Sequence, residues 1–168
     1  MPKKILKTVL EIALIALAVY LIITMVNSVS FAEDSDDLFT AWVICQPGDY
    51  VHARMKPSRK SREVGYFDGG DTVLTDGYEK NGFLRCYGFE TGVAWVHKGY
   101  VVFDEPEKMN CTAYSVSRGK LKARRWINGK VIHKIRTNAE VKVFWWSDEW
   151  CVTNKGFVQT RYLELEGL

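Results

Sequence analysis

The chain has 168 residues, 47% of them hydrophobic, and a formal net charge of +3. Residues 33–168 hold 20 Lys and Arg against 19 Asp and Glu, so most of the molecule is close to neutral, but 110–168 carry 11 basic against 5 acidic side chains. Only that second half is expected to feel an anionic polymer.

The segment 1–32 reads as a targeting segment. Lys3, Lys4 and Lys7 form a basic leader, an apolar run covers Ile12 to Ile23, and Ser30-Phe31-Ala32 offers small residues before a cleavage point. Two readings stay open. Either the leader is cleaved, or residues 5–26 remain as a membrane tether; the stretch from Val9 to Val29 just reaches the ~20 residues a spanning helix needs, although Glu11 interrupts it. Both place the rest of the chain outside the cytoplasm. No cysteine ends the apolar run, which argues against a lipid-anchored lipoprotein. Residues 33–40, with Glu33 to Asp37 acidic, form a short tether.

Beyond the leader no stretch shows helical periodicity. Short runs rich in β-branched and aromatic residues follow instead: Ala41 to Cys45, Thr72 to Thr75, Phe83 to Tyr87, Val93 to Val96, Ala113 to Val116, Val141 to Trp145 and Trp150 to Thr153. Gly69-Gly70, Asn81-Gly82 and Asn128-Gly129 mark turns. The segment AWVHKGYV at 94–101 is written again as GFVQTRYL at 156–163. Upstream, Val51-His52-Ala53-Arg54 matches Leu121-Lys122-Ala123-Arg124, and Gly70 falls opposite Asn138, two residue types that tolerate a left-handed turn. The offset between copies shrinks from 70 to 68 to 62 along the chain, as loop shortening between retained strands would produce. The expected fold is mainly β: two small antiparallel barrels, 41–103 and 110–168, joined by a charged linker at 104–109.

Candidate chemistry is sparse. His52 and His97 fall in strands and are expected to face solvent; His133 is the third histidine. Asp68, Asp71 and Asp76, like Asp148-Glu149, sit at turns, where carboxylates serve local backbone hydrogen bonds. No His-Cys spacing suits zinc, and neither metal nor cofactor is expected. A nucleophilic Cys86 or Cys151 is disfavoured, because no helix N-terminus is at hand to lower a thiol pKa. Cys45 and Cys86 stand almost as far apart in the chain as Cys111 and Cys151 do, and in an exported protein this suggests one disulfide per half; buried free thiols are the alternative.

The aromatic and basic residues say more. Trp145 and Trp146 are adjacent in a strand and point to opposite faces, so one is expected outside its core. Trp126 lies in a loop beside Arg124 and Arg125, an arrangement suited to stacking on a peptidic or flat ligand; filling the contact between halves is the alternative for these indoles. Lys120, Lys122 and Arg124 share one strand face, either as a solvated surface or as the footprint of an anionic ligand. Nucleic acid would suit the charge, but the exported address argues against it.

YVHARMKPSRKSREVGYFDGGDTV at 50–73, NGFLRCY at 81–87 and VAWVHKGYV at 93–101 resemble the bacterial Src-homology-3 (SH3b) family, with its Val-x-x-Arg strand, Pro-Ser loop and closing Trp-Val and Tyr-Val steps. The second half keeps Leu121, Arg124, Val141, Trp150 and Gly156-Phe157-Val158 but replaces the Pro-Ser loop by Arg125-Trp126-Ile127-Asn128-Gly129. The resemblance implies non-catalytic recognition of peptidoglycan peptides or other envelope ligands, here without an attached hydrolase. Tyr50, Arg54, Arg124, Arg125, Trp126 and Trp145 are the residues expected to meet such a ligand. A protein adaptor in an envelope assembly or secretion apparatus is the rival expectation.

Overall fold

The structure is a computed structural model that describes residues 38–90 and 92–166; the expected leader and most of the acidic tether lie outside them. The first repeat contains β1 (Phe39–Val43), β2 (Tyr50–Arg54), β3 (Glu63–Asp68), β4 (Thr72–Lys80), β5 (Phe83–Phe89), β6 (Gly92–His97) and β7 (Val101–Val102). The second contains β8 (Glu107–Ser115), β9 (Leu121–Arg124), β10 (Val131–Ile135), β11 (Glu140–Trp146), β12 (Trp150–Thr153), β13 (Gly156–Gln159) and β14 (Leu163–Leu165). Each repeat is one antiparallel seven-stranded sheet, ordered β3-β2-β6-β5-β4-β1-β7 and β10-β9-β13-β12-β11-β8-β14. The two orders are the same permutation, so duplication extends from letters to topology.

Alternation drives each sheet to enclose its own core. In β2, Val51 and Ala53 are buried; in β9, Leu121 and Ala123 are, while Lys122 stays exposed. The first core gathers Ala41, Val43, Val73, Leu84, Ala94 and Val96, and the second Ala113, Val141, Val143, Cys151, Val158 and Leu163. The shared turn is retained in atomic detail. Gly70 has φ +98° and Asn138 φ +58°; their N–H groups donate to Val43 O and Ser115 O, both at 2.7 Å. The next strand crossing matches too, with Ile44 N–H donating to Tyr100 O at 2.8 Å and Val116 N–H to Tyr162 O at 3.0 Å.

Strand boundaries differ from expectation at the joins. β8 begins at Glu107, inside the expected linker, and β1 at Phe39, inside the expected tether, because both extend along neighbouring strands of their sheets. A third buried cluster, of Ile44, Val102, Trp145, Trp150, Val152 and Phe157, draws on both repeats and joins them. Trp145 is only 9% exposed. It is thus the adjacent indole that leaves its own core, and it packs against the other repeat: Cβ atoms built on Gly69 and Gly70 would lie 2.9 Å and 2.5 Å from it.

The expected disulfides are absent: all four cysteines are free thiols, and Cys45, Cys86 and Cys151 are buried. The matched spacing misleads because the partners are not equivalent. The turn hydrogen bonds set Val43 against Ser115, which places Cys45 opposite Ser117 and Cys111 opposite Phe39. Leu84 pairs with Val96 and Cys151 with Val158, which places Cys151 opposite Leu84. Cys45 and Cys86 thus belong to the first core and Cys151 to the second, with the half-buried Cys111 packed against it. Burial pushes Cys86 and Cys151 up to about 12 and, with Asp49 adding to it, Cys45 up to about 11.

Candidate ligand cleft between the repeats

The loop 125–130 is built to reach across. Asn128 has φ +57°, Gly129 N–H donates to Trp126 O at 2.8 Å, and Arg125 N–H donates to Lys130 O at 3.0 Å, closing a tight turn. Arg124 braces it from below, with Nη1 donating to Gly129 O at 2.7 Å. Its counterpart Arg54 does the same in the first repeat, donating to Ser61 O at 2.8 Å and pairing with Glu63 at 3.2 Å. The loop then docks on the first repeat, where Ile127 N–H donates to Gly99 O at 2.8 Å.

Glycine makes the docking possible. Trp126 passes so close that a Cβ on Gly99 would lie 2.4 Å from its Cδ1, and one on Gly129 would lie 2.6 Å from its Nε1. The indole meets His97 edge-on at 5.2 Å and Tyr100 at 6.5 Å between ring centroids. Over its face lies the guanidinium of Arg59, 4.6 Å from the ring centroid.

These groups wall a cleft of about 300 Å³. Tyr50, His52 and Arg54 from β2 and Arg125 and Trp126 from the second repeat line it, together with the buried Val51 and Phe83. Among the described residues Asp49 is the one carboxylate on the lining, against three arginines. Cys45 also reaches it, but its thiol donates to Asp49 O at 3.3 Å and stays protonated at neutral pH. His97 Nδ1 accepts from Gly99 N–H at 3.1 Å, which puts the proton of the neutral ring on Nε2. That nitrogen lies 3.0 Å from Arg59 Nη2, beside the guanidinium that covers the indole. Burial first, and then the Arg59 charge, hold the His97 pKa below its ordinary value.

Of the six expected ligand residues, Tyr50, Arg54, Arg125 and Trp126 meet in this cleft. Arg124 braces the loop from behind, and Trp145 lies in the buried cluster between repeats. Sequence reading missed Arg59, His97 and Tyr100. Arg59 follows the Pro57-Ser58 loop signature, but nothing local indicates that an indole from the other repeat will lie beneath it. His97, expected to face solvent, is covered by that same indole. Of the turn carboxylates, Asp71 accepts from Asp68 N–H at 2.8 Å, whereas Asp76 accepts from Tyr78 N–H at 2.9 Å and also pairs with Arg85 and Tyr87 on the neighbouring strand.

No family model matches the chain, and no curated protein matches it. Among solved structures, it is similar to NlpC1 from Trichomonas vaginalis, at 16% identity and a TM-score of 0.34 over 79% of this chain and 48% of that one. It is also similar to NlpC2 from the same organism, at 17% identity and a TM-score of 0.34 over 78% and 49%. The chain thus spans about half the length of these structures.

Proposed function

We propose that the chain is an exported, non-catalytic binding protein whose tandem SH3b-like repeats hold a cell-envelope ligand, a peptidoglycan peptide or an anionic wall polymer. The observation that carries this reading is the Arg59 guanidinium stacked on Trp126 over a cleft that both repeats build. Cations in excess of carboxylates favour an acidic or carboxylate-ended ligand, and the aromatic walls give its apolar parts a surface to cover. Binding without turnover fits a lining whose thiol, Cys45, is kept protonated by burial.

The test is co-sedimentation of the full chain with purified cell-wall sacculi. Saturable binding is expected, weakened about tenfold or more by Trp126→Ala and far less by Lys80→Ala, as loss of a stacked contact should produce. No sedimentation at low salt would remove the envelope ligand from consideration.

A protein adaptor is the second reading, favoured by the outer positions of β3 and β10 in their sheets, where an added strand could pair. Crosslinking in membranes to a stoichiometric partner supports it, whereas release by wall digestion supports the first reading.

A further inference from the structure

The second repeat has a cleft of its own, also about 300 Å³, at the position equivalent to the first. The strand matches that define the duplication carry the lining across. Cys45 corresponds to Ser117, Val51 to Leu121, Arg54 to Arg124, Phe83 to Trp150 and Tyr100 to Tyr162, and all of these line their respective clefts. A concavity that recurs at equivalent positions on two sheets of one topology belongs to the repeat itself and not to the way the repeats meet.

Of four polar substitutions between the copies, three raise the positive charge. Tyr50 is replaced by Lys120, His52 by Lys122, His97 by Gln159, and the acidic Asp49 by Gly119. Glu63, which pairs with both His52 and Arg54 in the first repeat, lies opposite Val131 in the second. Among the described residues no carboxylate lines the second cleft, and none makes an ion pair with Lys120, Lys122 or Arg124. In the first cleft the protein balances part of its own positive charge; in the second it leaves that to whatever binds.

We infer that the second repeat is a separate oxyanion site, in which Lys120, Lys122 and Arg124 hold a multiply charged phosphate or carboxylate group. Two lysines supply mobile point charges, and Arg124, with Nη1 fixed on Gly129 O, presents its remaining donors from a set position. Ser117, Gln159 and Tyr162 add neutral hydrogen-bonding groups around the lining. The chain would then offer two chemically distinct clefts from one duplicated design: an aromatic one made with help from its neighbour and a cationic one complete within a single repeat. This site does not depend on what the first cleft holds.

Amide chemical-shift titration of the full chain with tripolyphosphate, and separately with citrate, tests it. Saturable shifts are expected on Lys120, Lys122, Asn128 and Tyr162; whichever probe binds more tightly distinguishes a phosphate source from a carboxylate one. The double substitution Lys120→Glu/Lys122→Glu, at two exposed positions, should weaken that binding about tenfold or more, while Lys108→Glu/Lys142→Glu, on β8 and β11 of the same repeat and off the lining, should leave it within about twofold. Shifts from neither probe, shifts dispersed over all basic residues, or equal losses in the two double variants would each overturn the assignment. An unaltered Trp126 environment in the Lys120→Glu/Lys122→Glu chain shows that the first cleft is intact, so failure here leaves the reading of that cleft standing.

Discussion

Gly99→Ala isolates the contact that forms the cleft. Gly99 is buried in the short 3-10 turn after β6, and its φ lies outside the left-handed region, so alanine carries no backbone penalty there. The new methyl carbon would stand 2.4 Å from Trp126 Cδ1 and 2.9 Å from its Cγ. An ordinary carbon contact is about 3.5–4.0 Å, so the indole must move by roughly 1 Å or more, or the loop must lift. Overpacking of this kind costs about 1–3 kcal/mol. Its origin is separable by a double-mutant cycle in urea denaturation. Trp126→Ala alone removes a half-buried indole and should cost about 2–3 kcal/mol; added to it, Gly99→Ala should cost about 1 kcal/mol or less, since only His97 Cε1, 3.0 Å from the new methyl, remains to give way. The single Gly99→Ala variant should also red-shift tryptophan emission as Trp126 gains water. An equal penalty for Gly99→Ala in both backgrounds would refute this packing.

The duplicated turn predicts opposite results at its two copies. Asn138→Gly should change stability by less than about 0.5 kcal/mol, whereas Gly70→Asn should cost about 1–3 kcal/mol, because its Cβ meets Trp145 at 2.5 Å; both are read by urea denaturation. Thiol titration of protein unfolded without reductant should find four free groups; in the folded protein the half-buried Cys111 should react first and Cys86 and Cys151 last. His97 gives a pH signature. Its folded pKa lies below the unfolded value near 6.5, so the unfolded chain binds the extra proton, and stability present above that pH is lost as pH falls through the folded value. His97→Gln, the residue its counterpart Gln159 already uses, should flatten stability between pH 8 and 5.

Much of the scaffold was legible because strand alternation and turn chemistry are local. Val51 and Ala53 against Leu121 and Ala123, and Gly70 against Asn138, announce the same strand and the same turn before any coordinates are seen. The cysteines show where such reading fails: Cys45 to Cys86 and Cys111 to Cys151 are near-equal spacings, and only strand register reveals that the thiols of one repeat do not stand at the positions of the other's. Trp126 and one of the adjacent Trp145 and Trp146 were recognisable as indoles in excess of their own cores, but their destinations depend on how one repeat meets the other. The glycines that receive them, Gly69, Gly70 and Gly99, look like ordinary turn residues in sequence. For the same reason Tyr50, Arg125 and Trp126 could be singled out one by one, whereas their convergence with Arg59 and His97 could not.

Mapping amide shifts on the full chain with soluble stem-peptide fragments released from peptidoglycan tests most directly whether the cleft between the repeats is the binding site. Saturable perturbation is expected, centred on Arg59, His97, Gly99 and Trp126 and abolished by Arg59→Glu/Arg125→Glu. Saturable binding that leaves those four residues unperturbed, or no binding at all, would contradict it.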